Sequence, residues 1–456
     1  MEALSSAPGS VQRLPELDGL RGVAALAVVM AHYTPATPTA DKNPTPYLFN
    51  AIHAFSLANI GVLFFFGLSS FLLTWLAEER FIRKGSFEAS QFLIHRFFRI
   101  VPLYLAVLAI SLFLIRDNGW LINFNVYDVG ERRYTVGHIW VYLLFLYNWV
   151  DALLGFRGYH PDFFNEFNHL WTLSVEVQFY LLFAAFYAAL RASLGTIPAL
   201  VARAVLCGVA MRAGFILVTS LASPGQAGSL YFYSFSYLEV FVLSSAAGIL
   251  FARRANLTDR FGLLRRPGLG LATVVTLAAL GWVWKYFLWG APDSETTAGK
   301  VAYYGVSIIL YSILGIAIAA SLLWLGANTR SRLSGVLRLP LLQALGTLSY
   351  GIYMWHLPAK FLIYGLDKRL LHGLDGQRRV VGVFLMFLVY VAFVLALAGL
   401  TFWGVEAPSN RFRRYLDSRR DGVPRLGNLG RAPLPLVLLG SGVGGAAILL
   451  ICSLRL

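Results

Sequence analysis

Eleven long apolar runs dictate what this chain can fold into. They lie at about 17–34, 54–77, 98–115, 170–190, 200–221, 231–252, 268–288, 301–326, 341–364, 380–404 and 434–453. At a rise of about 1.5 Å per residue, each is long enough as a helix to cross roughly 30 Å of hydrocarbon. Charged residues make up only 13% of the chain, about half the share a soluble domain carries. A soluble enzyme, a disordered chain and a coiled coil are excluded. The sequence predicts an all-α fold: a polytopic membrane helical bundle of about eleven transmembrane helices. A twelfth run, 136–150, is short and aromatic, and a re-entrant or interfacial helix is expected there.

Charge orients the bundle. With the N-terminus cytoplasmic and 136–150 not crossing, the inner loops hold 22 Lys and Arg against 7 acids, and the outer loops 11 against 11. If 136–150 crossed, every later loop would invert and the excess would lie outside. The positive-inside rule therefore selects eleven spans and a cytoplasmic N-terminus. The same asymmetry accounts for the net charge of +15 without a nucleic-acid partner. Cys207 and Cys452 lie in apolar stretches, so neither a disulfide framework nor a metal site is expected. The N-terminus lacks a basic segment followed directly by an apolar one, so no cleavable signal is expected.

Ionisable residues inside spans are costly and point to function. On the first span, Arg21 and His32 are 11 residues apart. At 100° per residue they fall about 20° from the same direction, some 16 Å apart along the axis. Glu176, two turns below His169, and His356, on the span 341–364, fall at a similar depth to His32 in the outer half. Arg96 and Arg99 share one face at the inner edge of the third span, and Arg21 faces the same level. Arg pairs bidentately with phosphate oxygens. The pattern describes a tunnel with anion sites at the cytoplasmic mouth and acid–base groups toward the outer face. A long donor with a phosphorylated head and a reactive tip, such as acyl-coenzyme A, has that shape. Arg212 lies mid-span and needs a partner: Glu239, or a place on the tunnel wall. The outer segment 116–170 is rich in Trp, Tyr, Asn and acids, which suits docking of a sugar acceptor. The Arg-rich tail 405–433 reads as an anchor on anionic lipid.

These motifs resemble the acyltransferase-3 family of integral membrane O-acyltransferases over about residues 13–416. Arg21 and His32 match its Arg, ten residues, His pattern. FFFGLSSFLL at 64–73 is similar to its FF-x-x-SGF-L-L element, with Ser69 in place and Ser70 where Gly is usual. Arg96, Arg99, Pro102 and Tyr104 match R-x-x-R-I-x-P-x-Y. The block His169 to Tyr180 matches H-L-W-S-L-x-V-E-x-Q-F-Y with Thr172 for Ser. Leu345 to His356 matches L-G-x-x-S-Y-x-I-Y-L-W-H with Met354 for Leu, and Glu406 and Pro408 match a final E-x-P.

The resemblance implies transfer of an acyl group, usually acetyl from cytoplasmic acetyl-CoA, to a hydroxyl of a glycan of the cell envelope or of a small molecule such as a macrolide. It implies no metal, and places the protein in a bacterial inner membrane. His32 is the expected base, with Glu176 orienting it or holding the acceptor and His356 as second base or oxyanion partner. Arg21, Arg96, Arg99 and Ser69 are expected to bind the donor. His169, Trp171, Ser174, Gln178, Tyr350 and Tyr353 are expected to bind the acceptor. Residues 13–416 then form the membrane acyltransferase domain. Residues 417–456 form a basic cytoplasmic linker and one extra transmembrane helix, with no appended hydrolase-like domain expected, so the acceptor arrives directly or through an envelope-assembly partner protein. Two other readings are a transporter or flippase of an acyl or glycan-lipid substrate, against which stands the lack of inverted repeats and broken helices, and a non-catalytic scaffold.

Overall fold

The computed structural model describes residues 14–33, 56–114, 137–154, 165–222, 229–253, 273, 276–283, 297–371, 374 and 376–420. Among them the chain is helix and turn, with no strand. The helices are α1 (Pro15–His32), α2 (Leu57–Lys84), α3 (Ala89–Leu114), α4 (Ile139–Leu143), α5 (Tyr147–Leu154), α6 (Trp171–Ala192), α7 (Ile197–Ala222), α8 (Leu238–Arg253), α9 (Thr297–Ala327), α10 (Arg332–Leu337), α11 (Pro340–Leu371), α12 (Gly376–Thr401) and α13 (Ala407–Arg420). A 3-10 turn, Asn165–Leu170, leads into α6, and a π-helical turn, Phe402–Glu406, joins α12 to α13.

Seven described segments are long and apolar enough to cross a membrane. They carry the runs read at 54–77, 98–115, 170–190, 200–221, 231–252, 301–326 and 380–404. The runs at 17–34 and 341–364 are the long helices α1 and α11, which carry more charge and polarity. The run at 434–453 lies outside the described residues, as does most of 268–288. Exposed Leu181, Phe186, Leu217, Val218, Phe384 and Leu385 give α6, α7 and α12 apolar outer faces. This is an integral membrane protein, with lipid as the solvent of those faces. The segment 136–150 forms no span: it holds all of α4 and half of α5, helices of five and eight residues. They are separated by a break at Phe145, whose φ is +55°.

Small residues let the central helices touch. A Cβ on Gly346 would lie 1.9 Å from the carbonyl oxygen of Asp18, and one on Gly22 would lie 2.5 Å from that of Leu342. Glycine at these two positions is what allows α1 to pack backbone to backbone on α11. Ser70, where the family pattern has Gly, turns its hydroxyl back to the Phe66 carbonyl at 2.7 Å, which accommodates the larger side chain within its own helix.

Buried ions are paired. Arg212 and Glu239 are both fully buried and form a bidentate pair, with each oxygen 2.8 Å from a guanidinium nitrogen. Of the two roles open to Arg212, the structure selects the partnered one. At one end of the bundle the buried Glu78 accepts from Tyr187 (2.6 Å), Arg191 (2.9 Å) and Arg253 (3.0 Å), tying α2, α6 and α8 together.

Candidate active site

One cavity of about 470 Å³ lies between α1, α2, α3, α6 and α11. Arg21, Arg96 and Arg99 line one end with Asp18 and Leu14; Thr172 and Tyr353 line the other; Ser69, Glu176, Tyr180 and Tyr350 form walls between. Helical period explains which α6 residues reach it. Thr172, Glu176 and Tyr180 are four apart, so each is turned about 40° from the last and all three share a face.

At the arginine end, Arg21 keeps Asp18 at 3.7 Å, and the Arg21 and Arg99 charges repel each other. Arg96 Nε is buried and makes no hydrogen bond. A buried donor without a partner is costly. On the wall, Glu176 Oε1 accepts from Ser69 Oγ at 2.5 Å and from the Tyr180 hydroxyl, and those two hydroxyls are 2.7 Å apart. Tyr350 donates to the Ile100 carbonyl at 2.7 Å.

At the other end Tyr353 forms a partition. Its hydroxyl is 2.6 Å from Thr172 Oγ1 and donates to the His169 carbonyl at 3.0 Å. Behind it stand three histidines. The His356 ring is 4.8 Å from that of His32, 4.9 Å from that of His169 and 5.2 Å from that of Tyr353. Their hydrogen bonds fix the neutral tautomers, because a carbonyl can only accept. His32 Nδ1 donates to the Val28 carbonyl at 2.8 Å, and His356 Nδ1 donates to that of Tyr353, leaving the lone pair of each on Nε2. His169 Nε2 donates to the Met354 carbonyl at 3.2 Å, leaving its lone pair on Nδ1. His356 Nε2 is buried without a hydrogen bond. His32, half-buried, is the most accessible of the three.

The structure thus gathers Arg21, Arg96, Arg99, Ser69, Glu176, Tyr350 and Tyr353 on one cavity, and His32, His169 and His356 behind its partition. Glu176 bonds Ser69 and Tyr180 rather than His32. Trp171, Ser174 and Gln178 are not on the cavity. Trp171 packs against Phe66, Tyr231, Phe232 and Tyr237. Ser174 bonds its own helix at Leu170. Gln178 donates to the Phe145 carbonyl (2.8 Å) and Asn148 Oδ1 (2.9 Å), and accepts from Trp149 Nε1 (3.1 Å) and Ser234 Oγ (2.6 Å). That amide is fully occupied in holding the break at Phe145, the start of α5 and Ser234. Sequence reasoning missed Tyr180 and Thr172 as site residues, although their four-residue spacing from Glu176 marks them. Among the described residues no set of His, Cys, Asp or Glu is arranged to hold a metal ion.

Comparison with known proteins fits this architecture. A family model described as an acyltransferase domain matches residues 14–403. The chain is 26% identical to Acyltransferase MdmB of Streptomyces mycarofaciens over 92% of its own length and 99% of that protein. It is 25% identical to Peptidoglycan O-acetyltransferase OatA of Listeria monocytogenes over 76% of its length, spanning 49% of OatA. It is 22% identical to a putative O-acetyltransferase of Staphylococcus aureus over 87% of its length and 57% of that protein. The chain therefore spans nearly all of the first relative but only about half of the other two. No solved structure matches. With the family model covering most of the chain, this membrane protein belongs to the acyltransferase-3 family.

Proposed function

We propose that the protein transfers an acyl group, acetyl in the simplest case, from cytoplasmic acyl-CoA to a hydroxyl of a glycan or related acceptor presented at the outer face of a bacterial inner membrane. The observation that carries this reading is the cavity itself. It joins three guanidiniums, one with a buried unbonded N–H, to a partition backed by three histidines with fixed tautomers. Arginine forks suit the donor's phosphates, and the stretch of cavity lined by Ser69 and Tyr350 is the place for a pantetheine arm.

In this reading the thioester carbonyl lies against Tyr353 and the acceptor hydroxyl approaches from the His32 side. His32 Nε2 takes the hydroxyl proton as the acceptor oxygen attacks the carbonyl carbon. The C–O bond forms, the Tyr353 hydroxyl turns its proton from the His169 carbonyl, which Thr172 still satisfies, to the developing oxyanion, and the C–S bond breaks. The departing thiolate takes up the proton, which leaves coenzyme A and an ester. Glu176, held by Ser69 and Tyr180, lines the donor's path and balances the arginine charge.

The test is calorimetric titration of coenzyme A into the detergent-solubilised protein, beside thiol release from acetyl-CoA with an added acceptor. Wild type should bind and turn over. His32→Ala should keep its affinity and lose turnover by about 10²–10⁴-fold, the usual worth of a general base. Arg96→Gln should weaken binding by about tenfold or more, the worth of a charge-assisted hydrogen bond. Failure of wild type to bind coenzyme A would refute the donor assignment.

A further inference from the structure

The arginines do not stop at the cavity. α13 lies across the start of α3 and is anchored there at two points. Ser409 Oγ donates to the Phe98 carbonyl at 2.7 Å, and Asp417 Oδ1 accepts from His95 Nε2 at 2.9 Å. Phe412 packs on Phe98 with ring centres 5.7 Å apart. Residues 409, 413 and 417 are four apart and form one stripe of the helix. Arg413 is therefore directed at α3 between the two anchors, beside Arg96. Its Nε is buried and makes no hydrogen bond; its charge is opposed by those of Arg96 and Arg99 and offset in part by that of Asp417. Arg411 and Arg414, off this stripe, are exposed. Arg80 reaches the same place from α2, with Nη1 3.4 Å from His95 Nδ1. The acid in this group, Asp417, is already engaged by His95 and by Gln91 at 3.5 Å.

Two neighbouring guanidiniums thus hold buried, unbonded Nε–H groups: that of Arg96, which lines the cavity, and that of Arg413 beside it on α13. We propose that Arg413, supported by Arg80, forms a second phosphate subsite that takes the 3′-phosphate on the nucleoside head of the acyl donor, while Arg21, Arg96 and Arg99 hold its pyrophosphate. This rests on the acyl-CoA reading above. A phosphate monoester carries nearly two charges at neutral pH, and a guanidinium fork matches its oxygens. An anionic lipid headgroup offers similar chemistry. The stripe argues for the nucleotide, because Arg413 is the arginine of α13 turned toward α3 and Arg96, while Arg411 and Arg414 are exposed.

The experiment is titration of coenzyme A and of 3′-dephospho-coenzyme A into the full-length protein in detergent, as wild type, Arg413→Gln and Arg413→Lys. Wild type should prefer coenzyme A by tenfold or more. Arg413→Gln should lose that preference while binding the dephospho form as wild type does, and Arg413→Lys should keep part of it. The subsite is overturned if Arg413→Gln keeps the wild-type preference, or if it weakens both ligands equally. It is also overturned if the preference survives and only binding to phosphatidylglycerol vesicles falls, which would assign Arg413 to lipid. If wild type binds neither ligand, the donor reading fails first and takes the subsite with it. If it binds both equally, the donor reading stands and the subsite alone is refuted.

Discussion

Replacing Arg212 by methionine should cost the fold about 3–5 kcal/mol, the usual penalty for breaking a buried ion pair on one side. The structure shows why the full cost applies. Arg212 uses all of its donors: Nε on the Ile308 carbonyl (2.9 Å), Nη1 on Glu239 Oε2 (2.8 Å) and the Ser236 carbonyl (3.3 Å), Nη2 on Glu239 Oε1 (2.8 Å) and Ser312 Oγ (2.6 Å). Without it, Glu239 retains the Ser312 hydroxyl at 2.5 Å for its Oε1, and Oε2 loses its guanidinium partner. Relaxation is blocked, since a Cβ on Gly208 would already lie 2.3 Å from Glu239 Oε1 and one on Gly315 would lie 2.6 Å from Glu239 Cβ. The two helix backbones close against the carboxylate and leave little room for water. A double variant, Arg212→Met with Glu239→Met, removes both charges and should recover most of the loss, because an apolar replacement of a buried pair is often neutral or better. The assay is reversible unfolding in mixed detergent and dodecyl sulfate followed by tryptophan fluorescence, with the four members of the cycle side by side. A single variant within about 1 kcal/mol of wild type, or a double variant no more stable than the single, would refute the reasoning.

Three further outcomes are expected. Gln178→Leu should lower stability by about 1–3 kcal/mol through the partners it strands, with affinity for coenzyme A unchanged, as seen by thermal melts beside calorimetry. Gly346→Leu should drive α1 off α11, since even a Cβ there meets the Asp18 carbonyl at 1.9 Å; the readout is loss of a monodisperse peak on size exclusion. Asp151, buried on α5, has its carboxyl pushed up to about 8 by burial, with the Tyr147 hydrogen bond acting the other way. A folded state that holds this proton more tightly than the unfolded chain loses stability as pH rises from the ordinary carboxylate range toward 8. Asp151→Asn should flatten that slope in unfolding measured between pH 5 and 8, and an unchanged slope would count against it.

Much of the site was legible from period and spacing. The 11-residue interval from Arg21 to His32 put both on one face of α1, and Arg21 does line the cavity while His32 meets His356. The arginine pair Arg96 and Arg99 needed only its three-residue interval. What spacing could not give was pairing across helices. Glu176 belongs with Ser69 because α2 packs beside α6, and nothing in either segment names the other. Gln178 and Ser174 could have been set aside, since each is two residues, about 200°, from Glu176 and so faces away from it. Arg413 falls in the Arg-rich tail that reads as a lipid anchor, and its stripe with Ser409 and Asp417 acquires a second meaning only with α3 beneath it. Helix count was legible where hydropathy is uniform; α1 and α11 depart from that uniformity because they carry the polar residues of the site.

The two faces of α6 set a rule for building chimeras. One face carries Thr172, Glu176 and Tyr180 to the cavity. The other, through Gln178, grips Phe145, Asn148, Trp149 and Ser234, and Asn148 in turn donates to the Phe232 carbonyl. Ser229 donates its backbone N–H to the Ala152 carbonyl. The segment 138–154 is thus latched to a helix that is also a wall of the cavity, and to the stretch 229–234 beyond the next span. Swapping 138–154 alone between relatives would leave the latch mismatched. A graft that travels with Gln178 and 229–234, and leaves the Thr172, Glu176 and Tyr180 face native, cuts the molecule where its own hydrogen bonds already divide it.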